Sequence, residues 1–214
     1  MAKIFVEGLP AAGKTSLIKF LEIKGYPVVH ELGRVLPQTA FPGNGKNLEH
    51  MININKWFIE QESNRFVHHP DTAYDRSYLT HLSYAYAYSK YTGIIGFNLT
   101  INQYNSAIVN KLLVYPDSVI YLDISPEESI KRQITRTKRE EQPALPTFWR
   151  DKKFLQDLKT ADAALFKSMN NIQILKICAN DTNKDKYNQV KLYLTKTSFD
   201  KNIDLEKYIS LLSD

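Results

Sequence analysis

Apolar positions along the chain recur at two periods, and the changes between them mark out the elements. Ile4-Phe5-Val6 is a short apolar run read as a strand, and after a glycine-bounded loop Leu17, Ile18, Leu21 and Ile23 follow at helical spacing. Gly25-Tyr26-Pro27 breaks that pattern, and Val28 to Glu31 reads as a second strand. Residues 32–45 contain two prolines and three glycines and are expected to be loop. From Asn47 to Val67 the positions Met51, Ile54, Phe58 and Ile59 share one side of a helix. Thr72-Ala73-Tyr74 is a short strand running into Asp75-Arg76-Ser77, and tyrosine-rich helical spacing fills Tyr78 to Lys90. A helix is expected over Asn98 to Leu113, and Ser118 to Ile124 is a strongly apolar strand. Pro126-Glu127-Glu128 opens the next helix, with acids in the first turn where the helix dipole favours them. Further along come a helix over Phe154 to Met169, a strand over Ile172 to Cys178, a polar loop over Asn180 to Lys186 and a helix over Leu205 to Leu212.

Strands separated by helical stretches imply right-handed β-α-β crossovers and a parallel sheet covered on both faces. The expected fold class is therefore α/β, a three-layer α/β/α arrangement with a five-stranded parallel sheet, in one domain spanning residues 1–214. Ligands of such sheets bind at the carboxyl ends of the strands. The first three strands end at Gly8, at Glu31 and at Asp75-Arg76, so these three polar points are expected to converge.

Composition narrows the classes. A hydrophobic content of 43% and a charged content of 24% are those of an ordinary globular protein. The net charge of +5 is scattered apart from a cluster at Lys131 to Arg139, which suits anionic small molecules and gives no ground for nucleic-acid binding. Cys178 is the only cysteine, which excludes an internal disulfide and a cysteine metal cluster; its apolar neighbours Ile174, Leu175 and Ile177 place it in the core. No apolar run approaches membrane-spanning length, and a strand starts almost at the amino terminus, leaving no room for a signal peptide. The expected location is the cytoplasm, with no membrane partner.

Four motifs carry chemistry. Gly8-Leu9-Pro10-Ala11-Ala12-Gly13-Lys14-Thr15-Ser16 fits the phosphate-binding loop G-x-x-x-x-G-K-S/T, with a strand before it and a helix after it as that motif requires. Glycines let successive N–H groups turn toward a phosphate, Lys14 reaches the β and γ phosphates, and the Thr15 hydroxyl suits Mg²⁺. Glu31 ends an apolar run and reads either as a solvated strand-end carboxylate or as a base for the atom that attacks the γ-phosphate. Asp75-Arg76 reads either as a surface ion pair or as a metal-side carboxylate beside a phosphoryl-binding arginine. Arg132 and Arg136 share one helical face in a basic run that ends in a loop with Pro143 and Pro146. That run reads either as a solvated helix or, over about residues 131–147, as a lid that closes on phosphates.

Glu7-Gly8-Leu9-Pro10-Ala11-Ala12-Gly13-Lys14-Thr15-Ser16 resembles the E-G-N-I-x-x-G-K-S-T loop of the deoxynucleoside kinases. Asp75-Arg76-Ser77 resembles their E/D-R-S motif, and Arg132 to Glu141 resembles their R-x-x-x-R-x-R-x-E-E segment, with Lys138 in place of its last basic residue. Together the four motifs resemble those of the wider group that includes thymidylate kinases, over the chain from the first strand to about residue 150. The resemblance implies a P-loop kinase with a helical lid that uses ATP and Mg²⁺ to phosphorylate the 5′-hydroxyl of a nucleoside. It gives Glu31, Lys14, Arg76, Arg132 and Arg136 to catalysis and Thr15 and Asp75 to the metal. Arg136, Lys138 and Asn183, the last in the segment Asn180 to Asp185, would face the ATP, and Glu141 the sugar 3′-hydroxyl. Base contacts do not carry over: Trp57, Phe58 and Gln61 are candidates by residue type, with His81, Tyr78, Tyr84 and Tyr86 behind them.

The sequence departs from the family at Leu32-Gly33, where Pro-Val is usual, and it lacks the E-P-G-G of thymidylate kinases. Arg34 and Arg65 keep a nucleoside monophosphate acceptor open, and a nucleotide-dependent switch is a third reading. Asn183-Lys184-Asp185 places its Asp one position early for the guanine motif N-K-x-D. The oligomeric state is open, with a homodimer one option.

Overall fold

A computed structural model of the chain describes residues 2–69, 71–140, 146–197 and 199–213. The elements, in order, are β1 (Ile4–Glu7), α1 (Lys14–Ile23), β2 (Val28–Val29), α2 (Leu32–Val35), α3 (Leu48–His68), β3 (Ala73–Asp75), α4 (Tyr78–Thr92), α5 (Phe97–Val109), β4 (Ser118–Asp123), α6 (Pro126–Glu140), α7 (Lys152–Lys167), β5 (Met169–Asn170), β6 (Gln173–Cys178), α8 (Asn183–Val190), β7 (Asn202–Ile203) and α9 (Leu205–Ser213). Five strands form one sheet in the order β2-β3-β1-β4-β6. Every pairing in it is parallel, as the alternation of strands and helices requires.

The pleat of the central strands sorts their side chains between two cores. Phe5, Tyr74, Val119 and Tyr121 point to one face and pack with Leu82 of α4, Ile101 and Tyr104 of α5, Leu165 of α7 and Tyr208 of α9. Ile4, Val6, Ile120 and Leu122 point to the other and meet Leu17, Ile18 and Leu21 of α1, Leu155 and Leu158 of α7 and Val190 of α8. Burial on both faces is why β1 and β4 read as continuous apolar runs.

The structure corrects the sequence reading in four places. β2 stops at Val29, and Glu31 caps a short helix, α2, where loop was expected. A 3₁₀ turn at Gln38–Ala40 adds further structure to the same segment. The polar stretch read as loop over Asn180 to Lys186 becomes α8 from Asn183, because the Thr182 side chain accepts from the Asp185 N–H as its cap. β5 and β7, two residues each, form an antiparallel pair too short to show a period. Cys178 is exposed: it alternates with Ile177, which faces the core, on a strand that among the described residues pairs only with β4. A thiol reagent should therefore label Cys178 in the native protein at about the rate seen in denaturant. Protection in the native state would contradict this placement.

Candidate active site

β1 delivers the chain into a loop that only glycine can begin. Gly8 has φ +138°, and a Cβ there would lie 2.6 Å from the carbonyl oxygen of Leu122, in the backbone of β4. Ala11 adopts the left-handed region at φ 57°, and Gly13, at φ 95°, turns the chain into α1. No side chain caps that helix, which leaves its first N–H groups for an anion. The loop closes around Lys14, whose ammonium donates to the carbonyls of Gly8 at 2.8 Å and Leu9 at 2.7 Å. Burial, followed by the nearby Arg76 charge, pulls the Lys14 amine down to about 7; Glu31, Asp75 and Glu7 oppose that shift. Arg76, Glu31, Asp75 and Glu7 thus all act on this one amine.

Thr15 follows, and its hydroxyl donates to Asp75 Oδ2 at 2.7 Å. Asp75 is fully buried, and its Oδ1 has no hydrogen-bond partner among the described residues. An orphaned carboxylate oxygen beside a hydroxyl at the loop–helix junction fits a hard cation that takes its other ligands from phosphate and water. The next residue, Arg76, has φ +63°, a strained conformation for a side-chain-bearing residue. Its N–H is tied to the carbonyl of Val6 at 3.1 Å, and its Nε meets Glu31 Oε1 at 2.8 Å. Two strand ends are thereby joined by an ion pair that is partly open to solvent.

The basic helix also reaches the loop. Ser129 Oγ donates to the Pro10 carbonyl at 2.7 Å. Arg132 pairs with Glu128 at 2.9 Å, lies 3.5 Å from the Ala11 carbonyl and donates to Asn180 Oδ1. Arg132 therefore connects α6, the phosphate loop and the turn before α8. Arg136 is exposed on the same helix, while Glu141 and the side chains of Lys138 and Arg34 lie outside the described residues.

Among the residues expected at the base, Phe58 packs against His81 with ring centroids 4.1 Å apart and against Trp57 at 4.8 Å, and Phe41 covers Trp57 at 5.1 Å. Gln61 is half-buried on the same helix. Burial, with Arg65 and Arg76 nearby, pushes the His81 imidazole down to about 3, so the ring is neutral. The remaining candidates are packing residues: Tyr78 is fully buried, Tyr84 stacks on Tyr88, and Tyr86 is buried against Phe97. Arg65 is buried and turned toward backbone carbonyls, which removes it from the phosphate-binding arginines considered for a monophosphate acceptor. A groove of about 770 Å³ between α3 and α5 includes none of these groups and stands apart from the site.

The roles of two residues, Lys186 and Glu7, escaped the sequence reading. Lys186 is buried, donates to the Ala179 carbonyl at 2.9 Å, and its Nζ lies 3.6 Å from where a Gly13 Cβ would be. Asn183, expected at the ATP, opens α8; Asn180, in the same expected segment, accepts from Arg132, and Lys186 lies beside the loop at Gly13. Glu7 accepts hydrogen bonds from Ser77 and Thr80, each at 2.6 Å, and so ties β1 to the start of α4. A carboxylate inside an apolar strand was the available signal for it.

A family model described as an AAA domain matches residues 3–159, and the chain belongs to that family. No curated protein matches the sequence. Among solved structures, deoxyadenosine kinase from M. mycoides with bound dATP is similar at a TM-score of 0.67 and 18% identity, covering 91% of this chain and 100% of that one. The same enzyme with dCMP and a flexible dCDP gives 0.63 at 19% identity over 90% and 96%, and with dCTP 0.59 at 19% over 90% and 96%. The chain thus has the fold of a deoxynucleoside kinase-like P-loop protein.

Burial raises the Glu7 carboxyl from 4.5 to about 7, against its two hydrogen bonds. Between those values the folded protein keeps a proton that the unfolded chain has released. The stability owed to this group is therefore full below about 4.5 and falls until the pH passes about 7. Glu7→Gln, which cannot ionise, should gain in Tm relative to the parent between pH 5 and pH 8. An equal Tm difference at both pH values would contradict this electrostatic account.

Proposed function

We propose that the protein transfers the γ-phosphoryl group of ATP to the 5′-hydroxyl of a nucleoside. The observation that carries the reading is the 2.8 Å Glu31–Arg76 pair standing beside Lys14 and the Thr15–Asp75 contact. A neutral hydroxyl acceptor needs a base, and Glu31 is a carboxylate held at the loop by an arginine. The triphosphate lies on Gly8 to Ser16, where Lys14 exchanges its two backbone carbonyls for phosphate oxygens. That exchange places the buried ammonium against an anion and raises its affinity for the proton. Thr15 and Asp75 would hold Mg²⁺, which when bound would neutralise charge on the phosphates.

Glu31 takes the proton of the attacking hydroxyl as the new O–P bond forms and the bond to the ADP oxygen breaks. Arg76 keeps Glu31 directed at that proton and faces the transferring group. Arg132 anchors a lid formed by the end of α6, on which Arg136 and Lys138 meet the phosphates and exclude water. The aromatic series Phe41, Trp57, Phe58 and His81, with Gln61, forms the wall for the base, and Glu141 takes the sugar 3′-hydroxyl. The nucleotides held by deoxyadenosine kinase support a deoxyribonucleoside as the acceptor. No described helix is long and apolar enough to cross a membrane, and we assign the enzyme to the cytoplasm.

A phosphotransfer screen with ATP against nucleosides and nucleoside monophosphates tests the reading. The expected result is a nucleoside 5′-monophosphate as product, with Arg136→Ala lowering kcat by about a hundred-fold or more. Turnover of monophosphates alone would move the assignment to a monophosphate kinase. Tight ATP binding with no acceptor turned over would sink the kinase reading in favour of a nucleotide-binding protein.

A further inference from the structure

The parallel ladder between β2 and β3 pairs Val28 with Ala73 and Val29 with Tyr74, and there it ends. The reacting pair lies just past that end, Glu31 beyond β2 and Arg76 beyond β3. β2 is an edge strand of two residues, so the sheet itself does little to hold Glu31 in place. Arg76 moreover sits at φ +63°, a conformation that persists only when its surroundings enforce it.

Arg65 supplies what the ladder lacks. Its side chain is 8% exposed, reaching from α3 to the end of the two strands. One terminal nitrogen, Nη2, lies 3.3 Å from the carbonyl oxygen of His30, 3.4 Å from that of Asp75 and 3.3 Å from that of Arg76. The other, Nη1, donates to Glu62 Oε1 at 2.7 Å, and the Tyr74 ring lies 5.4 Å from the guanidinium. The three carbonyls belong to the residues on either side of the gap between β2 and β3. Each of those contacts is long, yet all share one cation in a site sheltered from water, and together they fix a planar fork against the two strand ends.

We propose that Arg65 is a positioning residue: clamping the carbonyls of His30, Asp75 and Arg76, it extends the β2–β3 pairing by one step and sets the separation of Glu31 and Arg76. The proposal rests on the kinase reading for its catalytic consequence, and its geometric content is independent of that reading. Glu62 neutralises the clamp. It is 1% exposed, its Oε2 has no hydrogen-bond partner among the described residues, and burial pushes its carboxyl up to about 7. A buried ion pair of this kind adds little net stability over apolar residues of similar volume. What distinguishes it from an apolar pair is the geometry it imposes on the backbone.

That contrast supplies the experiment. Arg65→Met alone leaves Glu62 without its counter-ion and is expected to lower Tm. The double variant Arg65→Met/Glu62→Met removes both charges and should recover Tm to near the parent value. Its kcat for the nucleoside that the parent phosphorylates should nevertheless stay about a hundred-fold down, the scale of a small misplacement of reacting groups. The KM for ATP should stay within about two-fold, because the phosphate loop is untouched. A double variant that regains kcat together with Tm would overturn the proposal and leave Arg65 a folding residue. Crystal structures of the parent and double variant provide an arm that needs no turnover. The Glu31–Arg76 contact should open beyond hydrogen-bond reach in the variant, and its retention at 2.8 Å would also overturn the proposal. A parent that phosphorylates no acceptor fails the kinase reading alone, and the structural arm still decides the clamp.

Discussion

The site depends on the register of one strand against its neighbours. β1 pairs Val6 with Asp75 on one side and Glu7 with Tyr121 on the other. This register makes the phosphate loop leave β1 at the level where Arg76 leaves β3, and the Arg76 N–H closes the step by donating to Val6 O. It also presses Gly8 against β4 so closely that any side chain there would have to displace the backbone at Leu122. A slip of one residue would turn Phe5 toward the wrong core and carry Asp75 away from Thr15. The packing on both faces of the sheet therefore enforces the chemistry at its carboxyl edge.

A concentration of buried charge follows from that arrangement. Lys14, Glu7 and Asp75 are each 5% exposed or less, and Glu62 and Arg65 lie behind them on α3. Desolvation disfavours the charged forms of Glu7, Glu62 and Lys14. The shifts follow from burial: Glu7 and Glu62 are raised and Lys14 is lowered, all to about 7. Asp75 Oδ1 has no hydrogen-bond partner among the described residues. In the function proposed above, an anionic triphosphate would bring the opposite charge to Lys14 and a cation to Asp75.

The parts that were legible in the sequence are those fixed by short spacings or by strand ends. Gly8 to Thr15 could be read because the loop tolerates little variation in length, and β1 and β4 because they are buried on both faces. Glu31 and Arg76 could be paired because parallel sheets gather ligands at one edge. Other features depended on orientation, which residue type does not reveal. Arg65 looked like an anion-binding arginine, and only the rotation of α3 turns it inward to three carbonyls. Cys178 had apolar neighbours yet falls on the outward side of β6. α8 lacks an apolar period, holding its place through Val190, buried Lys186 and the Thr182 cap. The placement of Glu7 between Ser77 and Thr80 joins residues about seventy positions apart, beyond the reach of any local pattern.

The central claim is that Glu31 serves the acceptor hydroxyl and takes no part in holding ATP. Single-turnover transfer from bound ATP to the nucleoside, measured beside equilibrium ATP affinity in Glu31→Gln, tests it most directly. The amide keeps the size and loses the base, so transfer should slow by about 10²–10⁴-fold while ATP affinity is unchanged. Transfer at the parent rate, or a loss confined to ATP affinity, would contradict the account.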